Sequence, residues 1–169
     1  VADIFGDNMV LQQKTVTPIW GWADAGTTVT VTSSWNDKSY STKAGRDGTW
    51  RIMLHTPEAG GPYVLTITGD NALIFSDIYV GEVWLASGQS NMAMQLKECY
   101  ESTKAILTSQ KSNIRFINVP PLGSYKPLTD IKADWVVAAP ENVGDCSAVA
   151  WYFAHFIQEN LGVPVGIIN

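Results

Sequence analysis

The stretch Glu82-Val83-Trp84-Leu85-Ala86-Ser87-Gly88-Gln89-Ser90-Asn91-Met92 decides how the chain is read. Glu82–Ser87 is almost continuously apolar, the composition of a strand buried in a parallel sheet. Gly88-Gln89 then makes a tight turn, and a helical stretch, continuous or interrupted, is expected from about Asn91 to Lys111. A serine just after a buried strand, in a Gly-led turn entering a helix, lies at the carboxyl edge of the sheet. Ligands bind at that edge in open α/β folds. A helix start also offers unpaired backbone N–H groups, able to stabilise the oxyanion formed when a serine attacks a carbonyl. Ser90 thus has the setting of an activated nucleophile. The bare pattern also fits a serine that only caps a helix.

Upstream, residues 1 to about 77 read as β-structure. Short runs rich in Val, Thr, Ile and aromatics recur at Thr17–Trp22, Thr27–Ser34, Lys38–Lys43, Thr49–His55, Tyr63–Thr68 and Ala72–Phe75. Turns fall at Asp24-Ala25-Gly26, Gly45-Arg46-Asp47-Gly48, Gly60-Gly61-Pro62 and Gly69-Asp70-Asn71. Strand period two puts Trp50, Ile52 and Leu54 on one packed face. Such spacing predicts an antiparallel sandwich. Val1-Ala2-Asp3-Ile4-Phe5 reads as the opening of a mature strand.

Downstream, Asn113–Val119 reads as a strand. Pro120, Pro121, Gly123 and Pro127 mark a long loop to Trp135. Ser147–Asn160 predicts an amphipathic helix capped by Ser147, with Val149, Phe153, Phe156 and Ile157 as its apolar stripe and Leu161-Gly162 as its stop. Val163–Ile168 is the next strand. Alternating strands and helices predict an α/β sheet. Three strands would leave edges uncovered, so this domain (78–169) is expected to be the first portion of a larger one. Further sequence, in cis or as a second polypeptide, would complete it.

Composition narrows the function. With 46% apolar and 16% charged residues among 169, a real core can form. A net charge of −5 argues against nucleic acid and anionic membranes, which select basic patches. No apolar run approaches the roughly 20 residues that span a bilayer. Cys99 and Cys146 lack CxxC spacing and have only two histidines for company, so no metal site is expected. Two packing thiols are the simpler reading, a single disulfide the alternative.

The other candidates have bland readings. His55 lies on a strand opposite the Trp50 face and His155 on the late helix, so neither is given a catalytic role. Trp20, Trp22, Trp35, Trp50 and Trp135 are expected to fill the sandwich core or the seam with the next domain, although paired tryptophans can also stack on sugars. Glu98, Glu101 and Lys104 read as a solvated face. Asp130 and Asp134 show no paired-carboxylate logic.

The wording of the central motif is more specific than its geometry. Gly88-Gln89-Ser90-Asn91-Met92 after Val80-Gly81-Glu82-Val83-Trp84 resembles the first motif of sialate O-acetylesterase-like proteins. These are a branch of the SGNH hydrolases related to acetylxylan esterases. Asp7–Gln13, Ile19–Ala23, Ala59–Tyr63, Ser147–Ala150 and Leu161–Asn169 also resemble stretches of that family. The resemblance implies a β-sandwich (1–77) followed by the first part of an α/β/α, SGNH/flavodoxin-like hydrolase domain. It implies Ser90 as nucleophile, its own N–H as an oxyanion donor, and Gln89 and Asn91 as turn-shaping or substrate-binding neighbours. It also implies no cofactor, an O-acetylated carbohydrate as substrate (a sialic acid or a plant polysaccharide) and a periplasmic or secreted setting. The family's further Gly donor, its Asn/Gln-Gly-Glu region and its late Asp-x-x-His pair are not among these residues. The segment alone is therefore expected to lack a general base and to be inactive. The rival reading is a non-catalytic glycan-binding or structural sandwich module with an inactive hydrolase remnant.

Overall fold

A computed structural model describes residues 1–111 and 113–169. Among these, ten strands form in chain order: Val10–Gln12 (β1), Val16–Trp22 (β2), Thr28–Ser33 (β3), Ser39–Lys43 (β4), Thr49–His55 (β5), Gly60–Thr68 (β6), Ala72–Leu85 (β7), Ile114–Ile117 (β8), Trp135–Val137 (β9) and Val165–Ile168 (β10). Two α-helices, Ser102–Thr108 (α1) and Ala148–Leu161 (α2), lie between the later strands.

Eight strands share one mixed sheet in the order β4-β3-β6-β7-β10-β8-β9, with β1 also paired to β7; β2 and β5 pair separately, antiparallel. The runs expected separately at Ala72–Phe75 and Glu82–Ser87 are one 14-residue strand, β7. Its first part pairs antiparallel with β6, Tyr79–Gly81 pairs parallel with β1, and Glu82–Leu85 pairs parallel with β10. The sheet thus changes from antiparallel to parallel along one strand. The register with β6 slips between the Tyr63↔Ile78 and Leu65↔Phe75 pairs, and Asp77 there adopts φ +53°. That is a β-bulge, which bends the strand and redirects its carboxyl half. Arg115 on β8 reaches across to it, its Nη2 donating to Asp77 Oδ2 at 3.0 Å. The same guanidinium lies 3.8 Å over the Tyr79 ring.

Two cores result. Ile19, Ile52 and Leu54 of the β2–β5 pair meet Val29, Val31, Leu65, Ile67 and Ile78 of the large sheet. A second cluster joins Leu96, Ile114, Phe116, Val143, Trp151, Val165 and Ile167. Strand alternation on β5 is as expected, with Trp50, Ile52 and Leu54 buried and their neighbours exposed. Val1–Phe5 is not a strand. Its Ala2 and Phe5 side chains are buried instead, and the Ala2 N–H donates to the Trp20 carbonyl.

Helix α2 has the expected ends: Ser147 Oγ accepts from the Ala150 N–H, and Gly162 closes it at φ +66°. Its buried face differs from the expected one. Ala148, Ala150, Trp151 and Ala154 face the sheet, while Val149, Phe153 and Phe156 are exposed at 44, 41 and 63%; of the expected stripe, Ile157 packs against the core. Three alanines let the helix lie close on the sheet, and Trp151 fills the space between them. Of the two forms expected for Asn91–Lys111, the interrupted one is found. It is a turn, a 3₁₀ turn at Leu96–Glu98, α1 and a second 3₁₀ turn at Ser109–Lys111. The Leu96 N–H donates to the Cys146 carbonyl rather than to a helical partner, so a tertiary contact breaks the helix.

The parallel half needs close approach between β7 and the segment before β10. A Cβ on Gly81 would overlap the Pro164 carbonyl that accepts from the Glu82 N–H, whereas one on Gly6 would meet nothing within 4 Å. Gly81→Ala is expected to lower the unfolding free energy by about 2 kcal/mol or more. Gly6→Ala should change it by no more than about 0.5 kcal/mol. Urea denaturation of both variants measures this, and superimposable curves would refute the packing argument.

Candidate active site

Ser90 stands where β7 runs out. The ladder continues one step past Leu85, the Ala86 N–H donating to the Ile168 carbonyl, and the chain then leaves the sheet through Ser87-Gly88-Gln89. Ser90 itself sits at φ +47°. That left-handed conformation is uncommon for a residue with a Cβ, and such backbone strain clusters at functional sites. The turn closes behind it: the Met92 N–H donates to the Gln89 carbonyl, and the Ala93 and Met94 N–H groups to the Ser90 carbonyl. Gly88 packs closely under the turn: a Cβ there would lie 3.1 Å from Met92 Cβ.

The descending arm of the turn is fastened to the start of α2. The Ala148 N–H donates to the Met94 carbonyl, Gln95 bridges Ser147, and Ser147 Oγ lies 3.4 Å from Met92 Sδ. The N-cap serine of α2 therefore both ends a helix and braces the turn.

Gln89, Ser90 and Asn91 are all exposed. Among the described residues, neither the hydroxyl nor the N–H of Ser90 has a hydrogen-bond partner, so both are free to meet a ligand. No α-helix begins at Ser90, contrary to the expectation. Any oxyanion donor here is an amide of a strained turn, not a helix N-terminus. His155 Nδ1 lies 3.4 Å from Glu159 Oε2, and the His55 ring lies beside Tyr40, so both histidines are engaged away from Ser90. No group of three or more His, Cys, Asp or Glu able to hold a metal occurs among the described residues.

Two groups at this edge escaped the sequence reading. Asn118 and Asn169 come directly after β8 and β10, and Asn169 Nδ2 donates to Asn118 Oδ1 at 2.6 Å. Both lie at the carboxyl ends of strands on one side of the Ser90 strand, β10 beside it and β8 one strand further out. A polar residue ending an apolar strand is the signal that would have found them. Beneath the edge, Trp84 packs edge-on against Phe153 with ring centroids 4.9 Å apart.

The tryptophans divide. Trp50 and Trp135 are buried, the latter donating to the Ile4 carbonyl at 2.7 Å. Trp20 and Trp35 are half-buried against Phe5 and Tyr63. Trp22, expected in a core or seam, is 40% exposed, because strand alternation turns it outward with Trp20 while Ile19 and Gly21 face in.

The fold at this edge is that of a known class. A crystal structure of a carbohydrate acetylesterase from Xanthomonas citri matches with a TM-score of 0.94 and 34% identity, over 99% of this chain and 39% of that one. The chain is also 32% identical to the sialate O-acetylesterase of Homo sapiens and 33% to that of Pongo abelii, over 99% of this chain and 36% of each relative. It belongs to the sialate O-acetylesterase-like family, and it spans about a third of the length of these relatives. No family model matches it.

Both thiols are free, and burial pushes Cys146 up to about 12 from 9.0. A raised folded-state pKa favours folding below the unfolded value. That contribution is lost as pH climbs from about 9 towards 12. Native protein at pH 8 is expected to take iodoacetamide at half-buried Cys99 first, and at Cys146 only after denaturation. Peptide mapping that found Cys146 labelled first would contradict this.

Proposed function

We propose that this chain is the amino-terminal part of a carbohydrate O-acetylesterase acting through Ser90. The observation that carries the reading is the serine's position: exposed, at φ +47°, in a turn leaving the carboxyl edge of β7, with a free N–H. Ser90 Oγ adds to the acetyl carbonyl of an O-acetylated sugar, and its proton passes to a base. The oxyanion is held by the Ser90 amide, with Gln89 and Asn91 shaping the turn and meeting the substrate. Collapse expels the sugar hydroxyl and leaves an acetyl-serine, which water hydrolyses to acetate and free Ser90. Sialic acids and acetylated plant polysaccharides are both suitable substrates. Acetylated glycans lie chiefly outside the cytoplasm, which supports a periplasmic or secreted setting.

The fold is read as an amino-terminal β-sandwich, the β2–β5 pair facing β3, β4, β6 and the start of β7. The first part of an SGNH-type α/β/α domain comes after it. Further chain is proposed to complete that domain and to bring the base. Glu82–Leu85 pairs with β10 on one side only among the described residues. Leu85 is 73% exposed, and it lines an apolar pocket with Trp84, Val149 and Phe153. The greater length of the relatives supports the same reading.

The test is acetate release from p-nitrophenyl acetate and from an O-acetylated sugar. This chain, the natural full-length polypeptide that carries it, and full-length Ser90→Ala are compared. Full-length protein should be active, Ser90→Ala should lose about 10³-fold or more, and the 169-residue chain should be inert. An inert full-length protein, or full activity after Ser90→Ala, would transfer the case to a non-catalytic glycan-binding or structural module.

A further inference from the structure

On the outer face of the β2–β5 pair lies a groove of about 480 Å³, lined by Trp20, Trp22, Lys43, Thr49, Arg51 and Thr129 among others. None of its lining residues belongs to the Ser90 turn. Register builds it: Trp20 stands opposite Arg51 and Trp22 opposite Thr49, so two indoles and a guanidinium project from adjacent strands on the same side. Lys43 comes from the end of β4. Thr129 comes from the long loop between β8 and β9, so both halves of the chain contribute.

Three features mark it as a ligand site. Its volume is within the roughly 300–1,000 Å³ typical of small-molecule sites. Trp22 is 40% exposed there, an apolar surface that the fold leaves uncovered. Lys43 and Arg51 are exposed, and neither has an ion-pair partner among the described residues, in a chain whose net charge is −5. Asp47, the acidic residue closest in sequence to Thr49, is turned to it. Its Oδ1 accepts from the Thr49 N–H at 3.1 Å and the Thr49 hydroxyl at 2.9 Å.

We infer that this groove binds a carboxylate-bearing sugar, with the C–H face of the pyranose against Trp22 and the carboxylate against Arg51 and Lys43. A guanidinium fork matches a carboxylate in two hydrogen bonds, and a rigid indole presents a flat apolar face at little entropic cost. The anionic, flat-faced ligand is dictated by the groove. That it is a sugar rests on the esterase reading. The groove would hold the acidic glycan on the sandwich side, whatever happens at Ser90.

Binding is read without catalysis, from the tryptophan indole N–H signals in ¹H–¹⁵N spectra of the natural full-length protein and of its Ser90→Ala variant. The probes are N-acetylneuraminic acid, glucuronic acid and neutral glucose. Either acid, or both, should shift the Trp22 signal saturably in both proteins, more weakly at high salt, and the comparison tells a sialic from a uronic source. Glucose should not. Arg51→Gln and Trp22→Ala, both at exposed positions, should each weaken binding about tenfold or more. No saturable shift with either acid, equal response to glucose, or unchanged affinity in both variants would overturn the proposal. Acetate release is scored separately, so active protein without acid binding refutes only the groove, and acid binding without activity refutes only the esterase.

Discussion

The structure depends on keeping β7 a single strand while its partners change from antiparallel to parallel. The contact that secures the change is the one between Arg115 and the Asp77 bulge. Arg115 is almost wholly buried, its side chain 5% exposed against 40% for Asp77. A buried guanidinium is costly unless its charge and N–H groups are met. Here Asp77 supplies the charge, Asn113 accepts a second hydrogen bond, and the Tyr79 ring covers the cation's face. Among the described residues, Nε alone is left without a partner. The interaction serves geometry more than stability. It ties β8 to the bend in β7, and the bend aims the last four residues of the strand along β10.

That aim decides what the serine turn can do. The same carboxyl edge carries Ser90 at the end of β7, Asn169 after β10 and Asn118 after β8. Packing of α2 on the sheet sets the turn's lower arm through Met94, Gln95 and Ser147. A strained serine is held because both sides of its turn are fastened, one to the ladder and one to a helix cap. The groove over Trp22 and Arg51 is also a product of pairing, since Trp22 stands on β2 and Arg51 on β5.

Much of this was legible from local chemistry. The strands of the first half announce themselves by alternation, as in Thr49–His55, and α2 by a capping serine and a terminal glycine. Ser90 was legible too, because an apolar strand leading into Gly-x-Ser is a statement about position at a sheet edge. What misled was anything set by a partner. Val149, Phe153 and Phe156 belong to a fair helical stripe, yet the face that meets the sheet is Ala148, Ala150, Trp151 and Ala154. The composition of Asn91–Lys111 leaves open whether it runs on or breaks, and the bond from Leu96 to Cys146 decides for a break.

By itself, the sequence determined the kinds of element, the turn that presents Ser90, and the family, since these reside in neighbouring residues and backbone preferences. Tertiary structure alone decided that two expected strands are one, that Trp22 faces outward into a groove with Arg51, and that Asn118 and Asn169 meet at the serine's edge. Each of these is set by pairing or contact with residues distant along the chain. Such contacts arise from register and packing, which no local pattern encodes.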